Sequence, residues 1–243
     1  MIRDEPFRFE IGIALAAGTI ATFLALERFV VRCHVDATTA RIISRSAIFG
    51  ICAFAAYPNW RDRFAVSWPK PRYLVAAVLF GWGSPHVLTW LNTFVVRLFG
   101  PDPFPGVVAG EGVVLALLLH AIVGPITEEL VFRGLLARSL ATRWRWPAAI
   151  LVSSLVFMLY HANPYQIVET FCFGAVAAGI VLESRSIIPA IVMHVTTNVW
   201  VTLGRYKTPT ELWDSIGDHR DIYSAAAAIA TFTALWLLKG RRE

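Results

Sequence analysis

Long runs of apolar residues recur along the whole chain, and short polar stretches separate them. A helix that crosses a bilayer needs roughly 17 to 25 mainly apolar residues. The sequence therefore predicts eight candidate spans, at about 9–26, 42–58, 73–99, 112–138, 147–161, 165–182, 186–203 and 222–239. The predicted fold class is all-α, a polytopic transmembrane helical bundle of about eight spans, with 1–243 forming a single membrane domain.

Composition supports a membrane protein. Of the 243 residues 56% are hydrophobic and 16% are charged, whereas soluble domains contain roughly 25% charged residues. The net charge of +5 comes mostly from arginines at the ends of apolar runs, where membrane topology accounts for them better than nucleic-acid binding does. The expected surroundings are a lipid bilayer, and no nucleic-acid partner is expected.

The distribution of cations predicts the orientation. Eight spans place both termini on one side, and the loops on that side are richer in Lys and Arg. The positive-inside rule then predicts cytoplasmic termini, although the first loop, taken to extend as far as Arg45, is itself basic. We expect a multi-pass protein of a prokaryotic cell (inner) membrane, with the run at 9–26 kept as a helix.

The three cysteines do not indicate a disulfide framework or a cysteine-ligated metal site. Cys33, Cys52 and Cys172 are scattered and show no CxxC spacing. They are interpreted as ordinary apolar residues.

Polar residues inside the predicted spans carry the main functional signal. An ionisable side chain at bilayer depth costs at least about 2.5 kcal/mol and usually has a functional reason. Residues four apart share one face of a helix. Three such pairs occur, namely Glu129 with Arg133 (preceded by Glu128), Phe157 with His161, and His194 with Asn198.

The two adjacent glutamates are predicted to have different roles. On a regular α-helix they point about 100° apart. Glu129 lies four residues before Arg133, the favoured order for an ion pair on a helix. This pair is interpreted as structural, and Glu128 is left to face a cavity.

The remaining residues suit hydrolysis of a carbonyl compound. Glu128, His161 and His194 lie roughly 12 to 21 Å from the ends of their spans, so all three can reach the middle of a hydrocarbon core about 30 Å thick. A carboxylate and an imidazole can activate water. A second imidazole and the Asn198 amide can stabilise an oxyanion.

Non-catalytic interpretations stay open. An intramembrane His often only bonds one helix to another, and His86 and His120 are interpreted in this way. The chain could be a membrane scaffold, an immunity-type protein or a proton-coupled transporter. Gly81, Gly83 and Pro85 could break the third span, as in transporters.

The three motifs resemble a known family. "EELVFRG" fits EExxxR, "FMLYH" fits FxxxH and "HVTTN" fits HxxxN. Their order and separation are similar to those of the CPBP (CAAX protease and bacteriocin-processing, or Abi) family of glutamic-type intramembrane proteases, which includes type II CAAX prenyl endopeptidases. The resemblance covers about 112–203, the predicted catalytic core.

The resemblance implies an intramembrane endopeptidase with assigned residues. Glu128 would be the base that activates water, and His161 would help to hold that water. His194 and Asn198 would form the oxyanion site. The implied supporting residues are Glu129, Arg133 and Phe157.

The resemblance leaves two questions open. Zinc could be held by Glu128, His161 and His194 as a two-His, one-carboxylate set. Because the chain has no HExxH motif, a metal-free site without a cofactor is favoured. The expected substrate is a membrane-associated protein or peptide, cleaved near its C-terminus, and prenylated substrates are not expected to be common in a prokaryote.

Overall fold

The computed structural model describes residues 7–100, 112–206 and 220–238, and these residues form helices joined by loops, without a strand. The predicted all-α fold class is therefore confirmed. The helices are α1 (Phe9–Arg32), α2 (Ala37–Ala56), the short α3 (Trp60–Arg63), α4 (Pro71–Phe99), α5 (Val113–Leu140), α6 (Trp146–His161), α7 (Ile167–Ser184), α8 (Ile188–Tyr206) and α9 (Arg220–Leu238).

Each predicted span coincides with a helix of this bundle. By length and composition, four segments of the described chain could cross a membrane, namely Phe9–Val30, Thr38–Ala56, Val113–Leu140 and Pro164–Ser184. Three shorter segments are also apolar, namely Trp146–His161, Ile188–Leu203 and Ile222–Leu238. The protein is thus a helical membrane bundle.

Helix α5 lies at the centre and contacts α1, α2, α6, α7 and α8. Phe132 and Leu135 of α5 are fully buried, and so are Glu129 and Arg133. A helix that is buried on all sides is expected to be apolar throughout. The charged residues of α5 are therefore the exception that the surrounding helices must accommodate.

Helix α5 is not a regular α-helix. Two π-helical segments, Leu117–Val123 and Leu130–Ala137, flank the α-helical Gly124–Glu129. Pro125 removes one backbone donor at this junction, and the Ser153 hydroxyl of α6 donates to the Phe132 carbonyl at 3.1 Å. Such π-turns occur frequently at functional sites. The predicted helical span of 112–138 is therefore present, and the two adjacent glutamates lie in its α-helical part.

Helix α2 begins earlier than the sequence pattern predicted. The carboxylate of Asp36 accepts a hydrogen bond from the Thr39 backbone N–H at 2.9 Å and caps the helix. Arg41 and Arg45 therefore lie on α2 and not in the first loop. This corrects both the predicted span of 42–58 and the loop charge assigned to these arginines.

Helix α4 is continuous through Gly81, Gly83 and Pro85, in agreement with the predicted span of 73–99, and it lacks the break that the transporter interpretation allowed. Pro85 cannot donate to the Gly81 carbonyl, but the Thr197 hydroxyl of α8 donates to that carbonyl at 3.0 Å. The glycines allow close contact with α8 and α9. A Cβ atom at Gly83 would overlap the backbone carbonyl of Ala227.

We expect Gly83→Ala to destabilise the bundle by about 1–3 kcal/mol, because the added methyl group forces α4 away from α9. The check is the thermal unfolding midpoint of the detergent-purified protein. The matched control is Gly18→Ala on α1, where no atom lies within 4 Å of the added carbon. An unchanged midpoint for Gly83→Ala would contradict the packing described here.

Candidate active site

A cavity of about 220 Å³ lies inside the bundle between α2, α5, α6, α7 and α8. Since a water molecule occupies about 30 Å³ of liquid volume, several waters or a short piece of a ligand would fit. Glu128, His161, His194 and Asn198 all line this cavity. The structure thus brings together the four residues predicted to be catalytic, and their individual roles stay predictions.

Glu128 contacts a cation on one side and an imidazole on the other. Its Oε1 accepts a hydrogen bond from Arg45 Nη2 at 2.7 Å. Its Oε2 lies 3.8 Å from His194 Nε2. Arg45 Nη1 also donates to the Thr127 hydroxyl at 3.1 Å. The Arg45 guanidinium therefore offsets the charge of Glu128 and holds the carboxylate in place.

Sequence reasoning missed Arg45 because this residue was counted in a loop. The available signal was the predicted span of 42–58, which already contained Arg45, and the capping pattern of Asp36 and Thr39 adds Arg41 to the same helix. Arg41 Nη1 lies 3.4 Å from His120 Nε2, so His120 connects α5 to α2, as its interpretation as a helix-bonding residue implies. His120 also lines the cavity.

Glu129 and Arg133 form the predicted ion pair. Arg133 Nη1 donates to Glu129 Oε1 at 3.1 Å, and both side chains are completely buried. The guanidinium carbon lies 4.3 Å from the centre of the Phe157 ring and 5.8 Å from that of Phe173. The ring faces stabilise the cation where water is absent.

His194 contacts both glutamates. Its Nδ1 lies 2.7 Å from Glu129 Oε1, and its Nε2 is directed towards Glu128. Because a carboxylate accepts hydrogen bonds, we assign the Nδ1 proton to this contact. Glu129 was predicted to pair with Arg133 and to support the site, and the structure adds a contact with the ring of His194 that fixes how this ring presents Nε2.

His161 is held by the backbone of its own helix. Its Nδ1 donates to the Phe157 carbonyl at 2.9 Å, which leaves Nε2 of the neutral ring as an acceptor. Helix α6 ends at His161, and Ala162 follows in the left-handed conformation. Phe157 also packs edge-on against His161 and His194, with ring centres 4.6 and 6.0 Å apart.

Asn198 connects α8 to α5. Its Nδ2 donates to the His120 carbonyl at 2.8 Å, in the first π-helical segment. An amide nitrogen carries two hydrogens, so this contact uses one and leaves the other for a ligand. Gln166, Glu169 and Phe173 line the same cavity, and the sequence prediction placed none of them in the site.

The two imidazoles of the cavity share one feature with the ligands of a metal centre. Both His161 and His194 donate from Nδ1 and present Nε2, as metal-binding histidines commonly do. Within the described residues, however, no group of three His, Cys, Asp or Glu side chains is arranged to hold a metal ion. One oxygen of Glu128 is moreover engaged by Arg45. The mechanism proposed for this site therefore contains no zinc-dependent step.

The fold and the cavity define a membrane bundle with an ionisable site in its interior. Residues 110–200 match the family model described as type II CAAX prenyl endopeptidase Rce1-like. This segment contains all three motifs, so the resemblance to the CPBP and type II CAAX endopeptidase family is confirmed over these residues.

Two curated proteins are also similar. The chain is 26% identical to an Escherichia coli protein named "Uncharacterized 24.3 kDa protein", over 59% of this chain and 70% of that protein. It is 28% identical to the Bacillus subtilis (strain 168) protein named "Putative membrane peptidase YdiL", over 38% of each chain. No solved structure matches. The family match and the similarity to the protein named as a peptidase support a membrane protease.

We expect Arg133→Met to destabilise the protein by about 3–5 kcal/mol, because it leaves the buried Glu129 without its cation. The double variant Glu129→Gln/Arg133→Met should recover much of this loss. The measurement is the thermal unfolding midpoint in detergent.

The control for this experiment is the exposed pair of Arg143 with Glu10. Neutralising that pair in the same way should change stability by less than about 1 kcal/mol. An Arg133→Met protein as stable as the wild type would refute the buried ion pair.

Proposed function

We propose that the protein is an intramembrane endopeptidase that hydrolyses a peptide bond near the C-terminus of a membrane-associated protein or peptide. One observation carries the proposal: a carboxylate, two imidazoles and an amide line a single cavity inside an otherwise apolar bundle. The similarity to type II CAAX endopeptidases supports the same reaction class.

In the proposed mechanism Glu128 is the general base. Arg45 occupies Oε1 and keeps the group a carboxylate, so Oε2 is the oxygen that would accept a proton. Water held between Glu128 and His161 Nε2 would attack the substrate carbonyl while its proton moves to Glu128. The same proton would then pass to the leaving amine.

His194 and Asn198 would stabilise the oxyanion formed in this step. A proton on His194 Nε2 and the second amide hydrogen of Asn198 are the proposed donors. The contact of His194 Nδ1 with Glu129 fixes the ring and stabilises positive charge on it. The buried pair of Glu129 with Arg133 then acts on the reaction only through His194.

The site is proposed to work without a metal or another cofactor. The support is the role that Arg45 already has at Glu128, since a guanidinium bound to this carboxylate competes with a metal for the same oxygen. The protein is further proposed to lie in the inner membrane of a prokaryotic cell, with both termini in the cytoplasm.

The main rival is a membrane scaffold or immunity-type protein that uses the same residues to hold helices together. The transporter interpretation has less support, because α4 is continuous through the residues that could have broken it. Proteolysis by the purified protein separates an enzyme from both rivals.

We expect Glu128→Gln and His194→Ala to lower peptide cleavage at least about 100-fold, and Asn198→Ala to lower it about 10²–10³-fold. The measurement is cleavage of a library of C-terminal tail peptides by protein in liposomes, read by mass spectrometry. Glu183→Gln is the matched control, because Glu183 lies on α7 outside the cavity lining.

Two outcomes would contradict this proposal. One is equal cleavage by the wild type and Glu128→Gln. The other is peptide binding without any cleavage by the wild type, which would favour the scaffold. Monodisperse elution of each variant verifies that the fold is kept.

We expect chelators to leave peptide cleavage unchanged, because the Arg45 guanidinium engages Oε1 of Glu128 and would compete with a metal ion for that oxygen. Activity is measured after dialysis against EDTA and after treatment with 1,10-phenanthroline, and bound metals are counted by mass spectrometry. A loss of activity that stoichiometric zinc restores would replace this mechanism with a metal-dependent one.

A further inference from the structure

The cavity reaches one face of the bundle at the connection between α6 and α7. Helix α6 contributes Phe157 and His161 from its last turns. The lining continues with Gln166 and Glu169, where α7 begins. The connection between them is exposed at Ala162. The cavity therefore extends from the buried glutamate to a loop at the bundle surface.

The other helices line the cavity near the same face. Helix α2 contributes Arg45 from its first half, and α5 contributes residues from His120, near its start, to Glu128, at its middle. Helix α8 contributes residues from His194, just before its middle, to Thr202, towards its end. Successive spans alternate in direction, so the starts of α2, α5 and α7 lie at the same face as the ends of α6 and α8.

The two ends of the described chain lie at the opposite face. Glu10, in the first turn of α1, forms an ion pair with Arg143 in the loop between α5 and α6. The Phe9 ring lies 5.9 Å from that of Trp144 in the same loop. Helix α9 packs along α4 and also ends at this face. We call this the terminal face, and the other the cavity face.

Cations are concentrated at the terminal face. Its described loops contain Arg61, Arg63, Lys70, Arg143, Arg145 and Arg185. At the cavity face, the loops 33–36 and 162–166 contain no Lys or Arg. The cations at the cavity face lie on helices at or near their ends, as Arg32, Arg97 and Arg220 do. By the positive-inside rule the terminal face is cytoplasmic.

We propose that the cavity receives its substrate from the non-cytoplasmic side of the membrane. The substrate class is then a polypeptide whose scissile segment has been carried across the membrane and stays attached to it. Prenylated tails are made in the cytoplasm and would meet the wrong face. Cleavage of such a segment rests on the proposed endopeptidase function, whereas the direction of access rests on the placement of the cavity and the charges.

The native cysteines allow a direct test of the direction. Cys33 is exposed in the loop between α1 and α2, at the cavity face. With Cys52 and Cys172 changed to alanine, Cys33 is the reporter for this face. Thr142→Cys, in a protein without native cysteines, reports on the terminal face, because Thr142 is exposed between α5 and α6.

We expect a membrane-impermeant maleimide to label Cys33 in intact bacterial spheroplasts. The same reagent should label Thr142→Cys only after lysis. Gln166→Cys and Glu169→Cys report on the cavity itself, and both should be labelled from outside without lysis. Native Cys52, which is buried, provides the unlabelled baseline, and monodisperse elution identifies variants that fold.

Each labelling outcome supports or overturns the proposed direction of access. Labelling of Thr142→Cys but not Cys33 in intact spheroplasts would overturn the orientation. Labelling of Cys33 with both cavity reporters at the Cys52 baseline would show that the cavity does not open at this face. The expected labelling pattern without any peptide cleavage would keep the access direction and refute the proposed function.

Discussion

The need to neutralise two adjacent buried carboxylates governs the rest of this structure. Glu128 and Glu129 lie in a helix that is surrounded by other helices, where an uncompensated charge is costly. Arg133 of the same helix offsets one charge, and Arg45 of α2 offsets the other. His194 of α8 contacts both glutamates. These contacts determine where α2 and α8 lie against α5, and they also form the wall of the cavity.

In this network some side chains hold the ionisable groups in position, and others face the cavity in which the reaction is proposed to occur. Glu129 is buried and contacts His194, and Arg133 is buried against Glu129 and the Phe157 ring, while Glu128 and Asn198 line the cavity. Arg133 lies against an aromatic ring as well as a carboxylate. A site held by such packed side chains changes little when a ligand enters, and this favours precise placement of the reacting groups.

Local pattern predicted much of the fold and several of the site residues. The helices follow from apolar runs, and the pair of Glu129 with Arg133 follows from spacing within one helix. Arg45 was missed because it meets Glu128 across 83 positions of sequence and because it was counted as a loop charge. The hydrogen bond of Thr197, which supplies the donor that Pro85 lacks, could not be predicted either. The π-helical turns of α5 likewise arise from packing.

Because Arg45 lies outside the segment that matches the family model, that segment depends on a residue from the N-terminal part of the chain. The family match spans 110–200, which contains both glutamates but only one of the two arginines that balance them. The segment that resembles known endopeptidases therefore does not contain enough positive charge to neutralise both glutamates. Helix α2, which lies outside this segment, provides the missing positive charge through Arg45. Replacement of α2 by another apolar helix would remove that charge, so α2 cannot be exchanged independently of α5.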